Sequence, residues 1–313
     1  MKKHLSTIIL FTAAIIWGFA FVAQKAATVI PPFTLIFARS IVAIFALVPV
    51  TVFFDKMSNN KRNLFDVKAK RIDVSKTELI CGAICGIFLF AASALQQIGI
   101  SGTDAGKTSF ITALYVVIVP IYALFFGKKS SANVWIAITI AVGGFYLLCI
   151  KEGFTVVPSD LTVVLCAFIF AMQIMAVDLS LSKCDAIRLS LVQFATVTVL
   201  SLIFALVTEL PFDIKAIYGV LPEILFLGIG SSGIAYTLQI VGQKNSDPAV
   251  ASIILSLESV FGAVFSAILL AERMQVKEYI GCALVFLSVI ISQLDFNALL
   301  SRIKDLKSSE REN

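Results

Sequence analysis

The chain of 313 residues holds one histidine, His4, and it lies in the N-terminal tail. Chemistry that uses imidazole as a base or zinc ligand therefore has little to work with. Charge is also scarce, with Asp, Glu, Lys and Arg at 14% of residues, where soluble domains carry about 25%. So few charges cannot cover a water-facing surface. The six cysteines, Cys81, Cys85, Cys149, Cys166, Cys184 and Cys282, sit mostly in apolar runs without metal-ligand spacing and read as small buried hydrophobes. No cofactor is expected. The net charge of +5 forms no stripe for nucleic acid, because the basic residues fall in short segments between apolar runs.

What the chain has in plenty is long apolar runs, with 59% hydrophobic residues and a mean hydropathy of +0.96. The runs predict an all-α integral membrane protein with ten transmembrane helices, at about 5–24, 33–54, 78–99, 106–126, 133–150, 159–178, 188–208, 217–241, 248–271 and 277–295. Met1-Lys2-Lys3 before an apolar run has the form of a signal peptide, but the run to Ala23 is too long for a cleaved core and is read as the first span. Gly228, Gly230 and Gly233 predict a kink or thinning in the eighth span. The loop 55–77 is strongly basic, which fits a topology determinant near anionic headgroups. With the N-terminus in the cytoplasm, 18 basic residues fall inside and 6 outside, so the positive-inside rule places both termini in the cytoplasm.

The chain also repeats itself. At an offset of 144, Ser252, Ser256 and Ser259 fall on Thr108, Thr112 and Tyr115, while Glu272-Arg273 fall on Lys128-Lys129. At 143, Tyr236 and Gln239 fall on Ser93 and Gln96. Five spans per unit is an odd number, so the second unit enters the membrane from the other side. The expectation is two inverted five-helix repeats, 1–152 and 153–296, followed by a cytoplasmic tail, 297–313. Inverted repeats with a site at their mid-membrane interface are a recurring plan for secondary transporters.

Glu258 carries this reading furthest. It is a lone carboxylate near the middle of an apolar span, where an ionised side chain costs at least about 2.5 kcal/mol. It could bind a substrate ammonium, carry a coupling proton, or pair structurally with another buried group. Arg39 is the obvious partner; alternatively its fork would meet a substrate carboxylate, or its side chain would snorkel outwards. Gln96 and Gln239, with Thr112, Tyr115, Tyr236 and Ser256, suggest a polar lining shared by both repeats, against the plainer reading of hydrogen bonds between helices. Trp17 is either an aromatic wall or packing. Gly82 with Gly86, and Gly262 with Ser266, form small-residue faces for close helix approach. Gly102 to Thr108 ends in G-K-T, but Ser101 holds the first glycine position of a phosphate loop and no strand precedes it, so ATP binding is rejected.

The runs Ser109 to Pro120 with Gly127-Lys128-Lys129, and Ser256 to Phe261 with Ala271-Glu272-Arg273, resemble the fourth and ninth helices of the EamA-type drug/metabolite transporter superfamily. Trp17-Gly18 and Arg39 match the same pattern, and the resemblance covers nearly the whole chain. Ser259 departs from it, standing where the family often has proline. The resemblance implies a carrier of the inner (cell) membrane for small organic solutes, often an exporter of amino acids or related metabolites. An organic-cation efflux carrier and a non-transporting receptor or assembly subunit are the alternatives. The expected partners are a small-molecule substrate and the lipid bilayer, with a coupling proton as a lesser hypothesis and the oligomeric state left open.

Overall fold

The computed structural model describes residues 2–57, 65–66, 71–72, 74–128, 130–149, 157–269 and 275–294. Most of the basic loop 55–77, Lys129, Glu272, Arg273 and the tail 297–313 lie outside these residues. Regular structure among them is helical apart from one two-residue ladder, Phe65–Asp66 against Arg71–Ile72. Among the described residues nine helices are long and apolar enough to cross a membrane, and the shorter apolar Ala132–Leu147 takes the fifth place in the expected order of ten. The others are His4–Val29, Pro32–Val52, Lys76–Ser101, Ala105–Phe125, Pro158–Ser180, Ala186–Thr208, Leu221–Gln243, Pro248–Leu269 and Val276–Gln293. Large apolar side chains such as Phe45, Phe125, Val207 and Ile268 point away from the protein, as a lipid-facing surface requires.

Local chemistry sets the helix ends. Ser75 and Glu78 form a capping box that starts the third span. Asp185 accepts from the backbone N–H of Ile187 and Arg188 to start the seventh, and Asp247 with Pro248 starts the ninth. The second span is capped from a distance: the Glu209 carboxylate, just past the seventh span, accepts from the backbone N–H of Phe33 at 2.8 Å and Thr34 at 2.7 Å. That places a negative charge on a helix N-terminus, where the dipole favours it.

The principal contacts between spans follow one exchange rule, in which each span can be swapped for the one five places on. Third packs on sixth as eighth packs on first; third on seventh as eighth on second; fourth on sixth as ninth on first. Second on seventh, fourth on ninth and fifth on tenth are their own images. Small residues allow the close approaches. A Cβ on Gly86 would come within 2.5 Å of Thr196 Cβ on the seventh span, and one on Gly228 within 2.6 Å of Val42 Cβ on the second.

Two spans break in the middle. The fourth is split into Ala105–Thr112 and Tyr115–Phe125, and the ninth into Pro248–Leu255 and Leu257–Leu269 with Ser256 between. Serine hydroxyls compete for the backbone here: Ser252 donates to Ala249 O, Ser256 to Ile253 O and Ser259 to Ser256 O. The ninth span therefore breaks with serine, and no proline, at position 259. The eighth span departs from the α form where glycines crowd it: Phe226–Ala235 winds as a π-helix, continued by Tyr236–Gln243.

Candidate functional site

Side chains from the first, second, third, fourth, sixth, eighth and ninth spans line one chamber, about 450 Å³ in all when its opening is included. Trp17, Arg39, Gln96, Thr112, Tyr115, Tyr236, Gln239 and Glu258 all line it. Trp17, Tyr115 and Glu258 each stand close to the middle of their spans, so the chamber lies near half the depth of the bundle. Ser256 is not among the lining residues; it is fully buried at the break of the ninth span, two positions before Glu258. Breaks at mid-span in corresponding helices, next to a polar cavity, are where unwound backbone is tolerated in a membrane.

Aromatic rings form one wall. The Trp17 and Tyr236 rings lie 4.7 Å apart, and Phe194 backs Tyr236 edge-on at 5.6 Å. The polar wall includes a chain of amides: Gln239 Nε2 donates to Gln173 Oε1 at 3.1 Å, and Gln173 Nε2 donates to Gln193 Oε1 at 3.0 Å. Gln96 Nε2 donates to Thr112 Oγ1 at 3.2 Å.

Glu258 and Arg39 are each only 4% exposed. The Tyr115 hydroxyl stands beside the Glu258 carboxyl. Arg39 faces Tyr236. No ion pair joins Arg39 to Glu258 among the described residues; the pairs formed include Lys107 with Asp160, Lys128 with Asp178, and Arg188 with Glu78. Around the chamber Trp17 Nε1, Gln24 Oε1, Arg39 Nε, Tyr115 Oη, Gln239 Oε1 and Glu258 Oε1 are buried without a partner at good hydrogen-bond geometry. Unpartnered polar atoms are uncommon in interiors, and here donors and acceptors gather around one space.

The sequence reading missed Phe21, Gln24, Phe170, Gln173 and Ser231, all of which line the chamber. A signal for four of them is present. Trp17, Ala20, Phe21 and Gln24 follow the i, i+3, i+4, i+7 spacing of one helix face. At an offset of 153, Trp17, Ala20 and Phe21 fall on Phe170, Gln173 and Ile174, which also line it.

The turn rejected as a phosphate loop, at the start of the fourth span, carries Lys107, whose ammonium meets Asp160 at 2.6 Å. Thr103 also donates to Asp160, at 2.7 Å, and Lys25 donates to the carbonyls of Ile100 and Thr103, both at 2.9 Å. The fourth and sixth spans are joined again at their other ends by Lys128 and Asp178.

A model of the EamA-like transporter family matches residues 4–150 and again 157–294. An uncharacterized transporter of Archaeoglobus fulgidus is 31% identical over 214 residues, spanning 67% of each chain. A crystal structure of a protein with 17% identity superposes with a TM-score of 0.72, covering 96% of this chain and 98% of the other. That last likeness speaks to the fold alone.

Proposed function

The chain belongs to the EamA-like transporter family, and on that premise we propose that it is a secondary carrier that exports a small polar or zwitterionic metabolite, an amino acid or related compound, by alternating access. The matches point to a transporter and not to an enzyme. One observation carries the substrate class: Arg39 and Glu258 line the same buried chamber without pairing with each other. A buried charge is costly unless an opposite charge and hydrogen bonds meet it. A zwitterion would meet both, its carboxylate on the Arg39 fork and its ammonium on Glu258 beside Tyr115. Trp17 and Tyr236 would hold its apolar part.

In this proposal the repeats 1–152 and 153–296 rock against each other in the cell membrane, with both termini and the tail 297–313 in the cytoplasm. The exchange rule among contacts and the matched breaks of the fourth and ninth spans support the rocking. The excess of basic residues on one side supports the orientation. Organic-cation efflux is a second reading, favoured by the aromatic wall around Glu258; Arg39 in the same chamber weighs against it. Coupling to a proton on Glu258 is a further part of the proposal.

The test is flux in proteoliposomes with a panel of labelled amino acids and organic cations. Removing one charge-assisted contact, by Arg39→Gln or Glu258→Gln, should lower zwitterion flux at subsaturating substrate roughly ten- to hundredfold. Flux of a carboxylate-free cation that is indifferent to Arg39→Gln, with no zwitterion carried, would replace this reading by the second. Glu258→Gln should also abolish flux driven by a pH gradient; undiminished gradient-driven flux removes the proton from the mechanism.

A further inference from the structure

A second cavity, with an empty volume of about 910 Å³, lies outside the chamber. Its walls are Ile84 and Phe88 from the third span, Tyr122 and Phe126 from the fourth span and its end, and Met172 and Leu179 from the sixth. Ile84, Phe126, Met172 and Leu179 are 41–56% exposed, so the cavity opens sideways. In a membrane-spanning chain that side faces lipid tails. The walls are apolar nearly throughout, and Lys183 stands at one end.

Length and charge identify an occupant. From Met172 to the helix end at Ser180 is about 12 Å at 1.5 Å per residue, and Lys183 follows three residues on, so the groove covers most of one leaflet, half of a hydrocarbon layer about 30 Å thick. The groove thus runs from near the middle of the sixth span to just beyond its end at Ser180. Nearby acids are engaged elsewhere: Asp178 pairs with Lys128, Asp185 caps the seventh span, and Glu78 meets Ser75 and Arg188. Lys183 is exposed and forms no ion pair among the described residues. We infer that this groove is a binding site for an anionic phospholipid, with one acyl chain laid between the third, fourth and sixth spans and the phosphate on Lys183. A zwitterionic lipid would fill the groove equally well but gains less from the lysine, whose attraction to an anionic surface is worth about fivefold in affinity.

Native mass spectrometry of the full-length chain, released from detergent in the presence of phosphatidylglycerol, phosphatidylcholine or free glycerol phosphate, tests this. The wild type should retain phosphatidylglycerol about fivefold over phosphatidylcholine and retain no glycerol phosphate. Lys183→Gln should erase the preference while keeping the acyl-dependent adduct. Ala176→Phe and Met172→Trp, which fill the groove from the protein side and the lipid side, should each weaken both lipid adducts; two routes guard against one variant failing to fold. Unchanged adducts in both filled variants, or an intact preference in Lys183→Gln, would overturn the site. So would a dimer in the wild type that the filled variants dissociate, since a second copy would then own this face.

Discussion

The two halves of the molecule present similar chemistry to the chamber through different backbones. Gln96 on the third span and Gln239 on the eighth both line it, at the 143-residue offset. Yet Lys76–Ser101 is one continuous α-helix, whereas the eighth span passes through ten residues of π-helix. A wider turn rotates the side chains that follow it. Ser231, inside the π segment, faces the chamber, while Phe88 at the same offset faces the outer groove. The two halves thus place the same amide at the centre, while its hydrogen-bond partner, Thr112 for Gln96 and Gln173 for Gln239, and the backbone that carries it differ.

The halves should therefore respond unequally to matched substitutions. The largest difference is expected at Gly228, whose added side chain would meet Val42 and the Arg39 carbonyl at 2.9 Å. Gly228→Val should destabilise by about 3 kcal/mol through overpacking, whereas Cys85→Ala, at the corresponding place in the third span, should cost about 1 kcal/mol. Thermal unfolding followed by circular dichroism in detergent would read both, and equal losses would mean that the π segment is no more tightly seated than its counterpart.

Next comes the amide pair. Gln239→Leu cuts the chain to Gln173 and Gln193 and should cost about 2 kcal/mol, from a buried carbonyl left without its donor. Gln96→Leu strands only one hydroxyl-bonded contact, and about 0.6 kcal/mol is typical of such membrane hydrogen bonds. Detergent-denaturant titrations of the two variants, with Gln193→Leu added to each, should show coupling for Gln239 and none for Gln96.

The smallest effect concerns the interfaces that flank the chamber. The fourth and sixth spans are joined by Lys107 to Asp160 and Lys128 to Asp178. The ninth and first spans instead meet through Gly18, where a Cβ would lie 2.9 Å from the Gly262 nitrogen. Lys107→Met should cost about 0.5 kcal/mol, and 1 M salt should remove the difference from wild type. The loss from Gly18→Ala should not change with salt.

Much of this was legible in the sequence because membrane spans must be apolar, so each polar residue inside one stands out. Glu258, Arg39 and the matched glutamines were found on that ground. The lining residues of the sixth span were overlooked for a physical reason: the basic loop lengthens the first repeat, so the first and sixth spans align at 153 while the third and later spans align with theirs at 143 or 144. A search at one offset cannot place Gln173 or Phe170 opposite Ala20 and Trp17. The breaks in the fourth and ninth spans were also hidden, since serine and threonine are compatible with intact helix until their hydroxyls take the backbone carbonyls. Nor does any sequence feature announce that Glu209 caps a helix 175 residues away.

The paired rungs between the fourth and sixth spans restrict what those spans can do together. They run side by side in the same sense, tied at top and bottom. Sliding one along the other by a single helical turn, about 5.4 Å, would snap both ties at once. A tilt of the two spans together would keep both ties, and would carry the chamber residues Thr112, Tyr115, Phe170 and Gln173 with them.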